Sequence, residues 1–157
     1  MDAGPLLDSV TAALVAVRLE AILIGNAAAA IQGAPVTTVD FDFMFRATPV
    51  NLAKLKKFAD RMDALILRPY YPVSAMHRVM NDDRGLQADF MPVIHGVKSF
   101  NRLQSRAEKI RLGGHDLWIA NLADIIASKR AAGRPRDRAV LEILEKTLRE
   151  KESSAKA

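Results

Sequence analysis

Three short stretches of this sequence carry side chains that could do chemistry together. The first is Asp40-Phe41-Asp42, inside a segment where Val39, Phe41, Phe43 and Phe45 alternate with Asp40, Asp42 and Met44. That period-two pattern predicts a strand over 38–45, and residues two apart on a strand point to the same side. Two adjacent carboxylates repel, and one takes up a proton unless a cation sits between them. A divalent metal ion resolves the conflict; the plain alternative is a solvent-facing pair bridged by Arg46 or Arg78. The second stretch is Leu86-Gln87-Ala88-Asp89-Phe90-Met91, a further predicted strand. If it neighbours the first, Asp89 completes a three-carboxylate cluster. Such a cluster can hold two Mg²⁺ ions about 4 Å apart, a separation that clamps the attacking and leaving oxygens of a phosphoryl transfer. Taken alone, Asp89 reads as a capping or edge-strand residue. The third stretch, Leu23-Ile24-Gly25-Asn26-Ala27-Ala28, is a strand running through glycine into a helix of small residues. Glycine lets backbone approach a ligand, and helix N-terminal amides can donate to phosphate. Asn26 could add a side-chain contact. A simple strand-to-helix turn explains the same residues.

Those side chains need elements to position them. Residues 5–18 predict a helix, with Leu6, Val10, Ala13, Leu14 and Val17 on one face. Residues 21–24 predict a buried strand, and 26–32 a short helix stopped at Gly33. Thr48-Pro49 is a cap followed by a first-turn proline, opening a helix on Leu52, Leu55, Ala59 and Met62. Residues 64–71 are strand or irregular. Residues 76–80 and 86–94 predict strands joined by a turn at 81–85. Residues 97–107 predict a helix, and 109–112 with 116–119 a hairpin about Gly113-Gly114-His115. Asn121 caps a helix bearing Leu122, Ile125, Ile126 and Lys129 on one face. A last helix begins near Pro135, with Val140, Ile143, Leu144, Thr147 and Leu148 on its apolar side. The order of elements argues an α+β fold, a mixed β-sheet flanked by helices with two helices closing the chain. One domain over 1–151 and a frayed tail over 152–157 are expected.

Composition narrows the chemistry. The 157 residues include no cysteine, which excludes disulfides, thiolate metal sites and a cysteine nucleophile. Three histidines cannot build a histidine-rich metal site, so any metal is a hard cation held by carboxylates. His77, His95 and His115 do not cluster with the aspartates in sequence and take no role. Half the residues are apolar and a quarter charged, an ordinary globular composition. No apolar stretch approaches the roughly 20 residues that span a bilayer, and the N-terminus lacks the basic start of a secretory signal. A cytoplasmic protein is expected. The net charge of +5 suits polyanionic partners such as nucleic acid or nucleotide phosphates, or is simply a mildly basic surface.

The run Ile24-Gly25-Asn26-Ala27-Ala28-Ala29, followed by Thr38-Val39-Asp40-Phe41-Asp42, resembles the nucleotidyltransferase superfamily that includes DNA polymerase beta. It looks closest to small bacterial nucleotidyltransferases related to the AbiEii-type toxins. Those carry Gly-Gly or Gly-Ser at the turn, then an Asp-x-Asp strand, then a third strand carboxylate. Gly25 matches the first position, while Asn26 replaces the second. Asp40 and Asp42 match the paired metal ligands and Asp89 the third carboxylate. The segment 124–137, a lysine-bearing helix followed by an Arg-Pro-Arg-Asp turn, also resembles that subgroup. The resemblance implies a Mg²⁺-dependent enzyme using an NTP, with two ions on Asp40, Asp42 and Asp89 and the triphosphate near Gly25 and Asn26. Lys129 would face the nucleotide phosphates, and Asp137 would order the turn or the lysine. From the residues alone, Lys129 snorkels out of an apolar face or finds an anion, and Asp137 serves the helix dipole. Arg130, Arg134, Arg136 and Arg138 form a solvated face or a contact for RNA or triphosphate. The resemblance leaves the acceptor open among an RNA 3′ end, a protein and a small molecule. It extends by analogy to a toxin–antitoxin or phage-defence pair with a cognate antitoxin. A non-catalytic module of the same fold, binding a partner protein or a nucleotide, is the alternative.

Overall fold

Four phenylalanines organise the centre of the molecule. Phe41, Phe43, Phe45 and Phe90 are all buried. The rings of Phe43 and Phe90 stack with centroids 4.9 Å apart, and Phe58 meets Phe90 edge-on at 5.4 Å. Each such ring removes a large apolar area from water, and the offset and edge contacts add to that burial. The computed structural model describes residues 4–38, 40–68, 75–97 and 99–156. Val39, Lys98 and the end of the 64–71 segment lie outside the described residues.

In chain order the elements are α1 (Gly4–Val17), β1 (Ala21–Ile24), α2 (Gly25–Ile31), β2 (Phe41–Phe45), α3 (Pro49–Arg61) and β3 (Leu65–Leu67). They continue with β4 (His77–Asn81), a 3₁₀ turn (Asp82–Arg84), β5 (Leu86–Met91), α4 (Phe100–Arg106), β6 (Glu108–Leu112) and β7 (His115–Ile119). The chain closes on α5 (Leu122–Ala132) and α6 (Pro135–Lys156). The strands form one sheet in the order β3-β4-β5-β2-β1-β7-β6. β2 runs parallel to β5 and β1 parallel to β7, whereas the other pairs are antiparallel. This is the expected mixed sheet with flanking helices.

Several expected boundaries move, each for a local reason. β2 begins at Phe41, because β5 offers register from Phe41 and β1 only from Asp42. Asp40 sits in a bend just ahead of the strand, where the Thr38 hydroxyl donates to the Asp40 carbonyl at 2.6 Å. Met44, expected on the polar face with the aspartates, is buried, so that face of β2 is covered as well. β5 stops at Met91 because Pro92 has no N–H to extend the ladder. The helix expected over 97–107 starts at Phe100, since the Ser99 hydroxyl accepts from Arg102 N at 3.1 Å and caps it there. α6 continues to Lys156, into the stretch expected to fray. The β6–β7 hairpin turns on Gly113 and Gly114 alone, with φ of +54° and +83°, and His115 already belongs to β7. A two-residue turn with positive φ at both positions matches strand twist and strongly favours glycine.

Thr48 Oγ1 accepts from Asn51 N at 3.2 Å at the start of α3, the cap its position predicts. Thr48→Ala is expected to lower unfolding stability by about 1 kcal/mol in urea titration, without altering the urea dependence of the unfolding free energy. α3 lies on the phenylalanine face of the sheet, through Phe58. By strand alternation Asp42 and Asp89 point to the opposite face.

Candidate active site

Register across four adjacent strands builds one row. Ile24 of β1 pairs with Asp42 of β2, Asp42 with Asp89 of β5, and Asp89 with Arg78 of β4. Beyond Ile24 the chain turns through Gly25 into α2. The row forms the floor of a cleft of about 820 Å³, whose lining includes Asp40, Asp42, Asp89, Gly25, Asn26 and Lys129. The opposing wall comes from α5 and the start of α6, with Asp124, Ser128, Lys129, Arg134, Arg136 and Asp137. Of the three histidines only His95 is among the lining residues.

Gly25 has φ of +68°, and a Cβ built on it would lie 2.9 Å from Asp42 Oδ2. Glycine is favoured by the backbone conformation, and any larger residue would make the Asp42 carboxylate shift. Asn26 lines the cleft, yet its Oδ1 is buried without a hydrogen-bond partner among the described residues.

The carboxylates differ in their surroundings. Burial, then the negative charges of Asp89 and Asp40, push Asp42 up to about 6, with Lys129 and Arg136 opposing. Asp40 is raised too, by burial and by Asp89, against the pull of Arg78. Asp89 is held differently. Its side chain is 8 % exposed, and Arg78 donates to it through Nε at 2.9 Å and Nη2 at 3.2 Å. Such a two-pronged contact is among the stronger charge-assisted pairs.

On the opposite wall Asp137 is almost fully buried. It accepts from Arg134 Nε at 2.6 Å, Arg134 Nη2 at 3.3 Å and the Arg134 backbone N–H at 3.3 Å. Lys129 Nζ lies 3.7 Å from its other side. Burial alone would raise Asp137, but the Arg134 hydrogen bonds and the charges of Arg134 and Lys129 outweigh it and hold the carboxyl below its ordinary value. Lys129 is lowered by burial and by the nearby arginines, against the pull of Asp137 and Asp42. Lys129 thus neither snorkels into solvent nor stands alone; its apolar helix face brings it to a buried counter-ion. Asp137 does more than serve the dipole of α6, because it anchors two cations of the cleft wall.

The expected three-carboxylate metal cluster is not assembled. Among the described residues no group of three or more His, Cys, Asp or Glu side chains is disposed to hold a metal ion. Asp89 is a strand neighbour of Asp42, as expected, but its oxygens face the guanidinium on its other side. Asp40 and Asp42 still suit a hard cation: both are carboxylates raised first by burial and then by neighbouring negative charge, and a divalent ion would relieve the second. Arg78, expected as a bridge to Asp40 and Asp42, is paired with Asp89 instead, and the local hairpin register accounts for it. The turn that joins β4 to β5 pairs Asn81 with Leu86, and counting outward from there brings Arg78 opposite Asp89.

Neither a protein-family model nor any curated protein matches the sequence. Solved structures share its fold, among them these two. One is the solution structure of the antibiotic-resistance factor ANT(2'')-Ia, with TM-score 0.59 and 12% identity over 97% of this chain and 94% of that one. The other is a crystal structure from Thermotoga maritima of a protein proposed to be a nucleotidyltransferase, with TM-score 0.59 and 15% identity over 93% and 92%. At such identities the likeness establishes the fold alone, an α+β arrangement with a mixed sheet flanked by helices. No helix among the described residues is long and apolar enough to cross a membrane.

Proposed function

We propose that this chain is a Mg²⁺-dependent nucleotidyltransferase, moving a nucleotidyl group from an NTP to an acceptor hydroxyl. The observation that carries this reading is the meeting of Asp40, Asp42, Gly25 and Lys129 in one cleft on a fold of this kind. Asp40 and Asp42 would hold the cation, which supplies charge neutralisation at the transferring phosphorus when bound. Gly25 keeps backbone bare beside Asp42, so that a phosphate chain can come close. Asn26 stands next to it in place of the glycine or serine of related proteins. Lys129, Arg134 and Arg136 form a positive wall that would orient the triphosphate opposite the carboxylates. Asp89, tied to Arg78, is not poised as a base and acts here through charge. The acceptor is an RNA 3′ end, a protein hydroxyl or a small molecule, and the basic surface favours RNA. A cytoplasmic toxin–antitoxin or phage-defence setting, with a cognate antitoxin, belongs to the same proposal.

A second reading has its own support. The engagement of Asp89 by Arg78 suits a non-catalytic module that binds a nucleotide or a partner protein through the same cleft. Incubation with each labelled NTP, Mg²⁺ and total RNA or lysate separates the two. Label transferred to a macromolecule or small molecule, and lost in Asp42→Ala, supports the enzyme. Association with a partner that needs no NTP and survives Asp42→Ala supports the module. In the enzyme, Gly25→Ala is expected to cut turnover about 100-fold by displacing the Asp42 carboxylate. The same change should lower unfolding stability by about 1 kcal/mol, because alanine resists the left-handed backbone. Steady-state kinetics and urea titration on one preparation check both effects.

A further inference from the structure

We infer that this cleft takes one resident divalent cation rather than two, because Arg78 fills the place beside Asp89 with a cation of the chain's own. The inference rests on the metal-dependent reading above and sharpens it. Arg78 is placed directly opposite Asp89 by a five-residue antiparallel register, which sets both side chains on one face of the sheet. It meets the carboxylate through two nitrogens, and Asp89 is nearly closed to solvent. A second ion on Asp89 would have to displace that fork or lie in contact with it, positive charge against positive charge. Charge balance points the same way. Without nucleotide, the three carboxylates of the floor are neutralised by one guanidinium and one divalent ion, and a further ion would have to arrive with an anion of its own. Among the described residues Asp40 and Asp42 have no comparable fork, and both line the cleft, which leaves them to a single ion.

The probe is Mn²⁺ alone, titrated into the full chain and counted from the loss of the free-ion electron paramagnetic resonance signal. Wild type is expected to saturate at one ion per chain. Asp89→Asn, which keeps one of the two acceptors facing Arg78 but removes a negative charge beside Asp42, is expected still to bind one ion, more weakly. Arg78→Met is expected to admit a second ion, and this gain vanishes in the Arg78→Met, Asp89→Asn double variant. Should Arg78→Met fail to fold, the Asp89→Asn titration decides. Two ions in wild type, one of them lost in Asp89→Asn, would overturn the single-ion inference while leaving the proposed enzyme standing. No ion in wild type would overturn the metal-dependent reading and the inference with it.

Discussion

Asp42→Asn is expected to stabilise the metal-free protein at pH 8 while reducing nucleotidyl transfer about 10³-fold. The gain follows from where the carboxylate sits. In the unfolded chain an aspartate titrates near 3.9, whereas in the fold burial and the charges of Asp89 and Asp40 push Asp42 up to about 6. The folded state therefore holds the proton more tightly than the unfolded one. Below about pH 4 both states are protonated and the group is neutral in its effect. As pH rises from 4 through 6, the unfolded state releases its proton first, and stability falls. Above 6 the full penalty is present, about 3 kcal/mol. Asparagine keeps the shape and removes the charge, and its own need for partners leaves a net gain of roughly 1–3 kcal/mol. In a domain of this size that is a rise of about 2–4 °C in Tm per kcal/mol. Calorimetry at pH 4, 6 and 8 checks it: the variant should match wild type at pH 4 and exceed it at pH 8. Added Mg²⁺ should reverse the order, since only wild type gains a bound ion. A variant less stable than wild type at pH 8 would show that Asp42 is not charge-frustrated.

Asp137→Ala is expected to cost about 3 kcal/mol of unfolding stability and to weaken NTP binding about tenfold. Asp137 is 2 % exposed and joins three partners that nothing else replaces. It answers Lys129 from α5, the Arg134 side chain and the Arg134 backbone N–H at the start of α6. The last of these is the reciprocal bond of a helix start, in which an acidic side chain reaches back to the residue before the first turn. Removing one partner of a buried pair leaves the other charged and unsolvated, which is the expensive direction. The half-exposed Arg134 recovers some hydration, whereas Lys129, with 13 % of its side chain exposed, does not. The binding loss follows because Lys129 and Arg134 line the triphosphate wall and lose their anchor. Urea titration and a fluorescent nucleotide analogue measure the two effects. A stability loss below about 1 kcal/mol would reduce Asp137 to an ordinary first-turn acid.

Arg78 and Lys129 show how far the sequence could be read. The β4–β5 hairpin is local, so its turn residues fix the register and make Arg78 face Asp89. Lys129 falls on the apolar side of α5 by helical spacing alone. Nothing local, however, says which charge a lysine on that face will meet. Asp137 reaches it only because α6 folds back along α5. The strand carrying Asp40 and Asp42 was legible from its alternation, yet its start moved to Phe41, because a ladder begins where partners exist and partners are distant residues.

By itself the sequence determined the local elements: glycine before α2, the Asp-x-Asp alternation, the caps at Thr48 and Asn121, and the hairpin turns. These depend on neighbours within a few residues, whose spacing and φ preferences are written in the chain. Tertiary structure alone decided what Asp89 does. A central strand has two edges, and β5 has Asp42 on one side and Arg78 on the other. Periodicity says that Asp89 faces the cleft, but the direction in which its carboxylate turns is a contest between a like charge and an opposite one. The opposite charge wins because only that contact repays the loss of water from a nearly buried carboxylate.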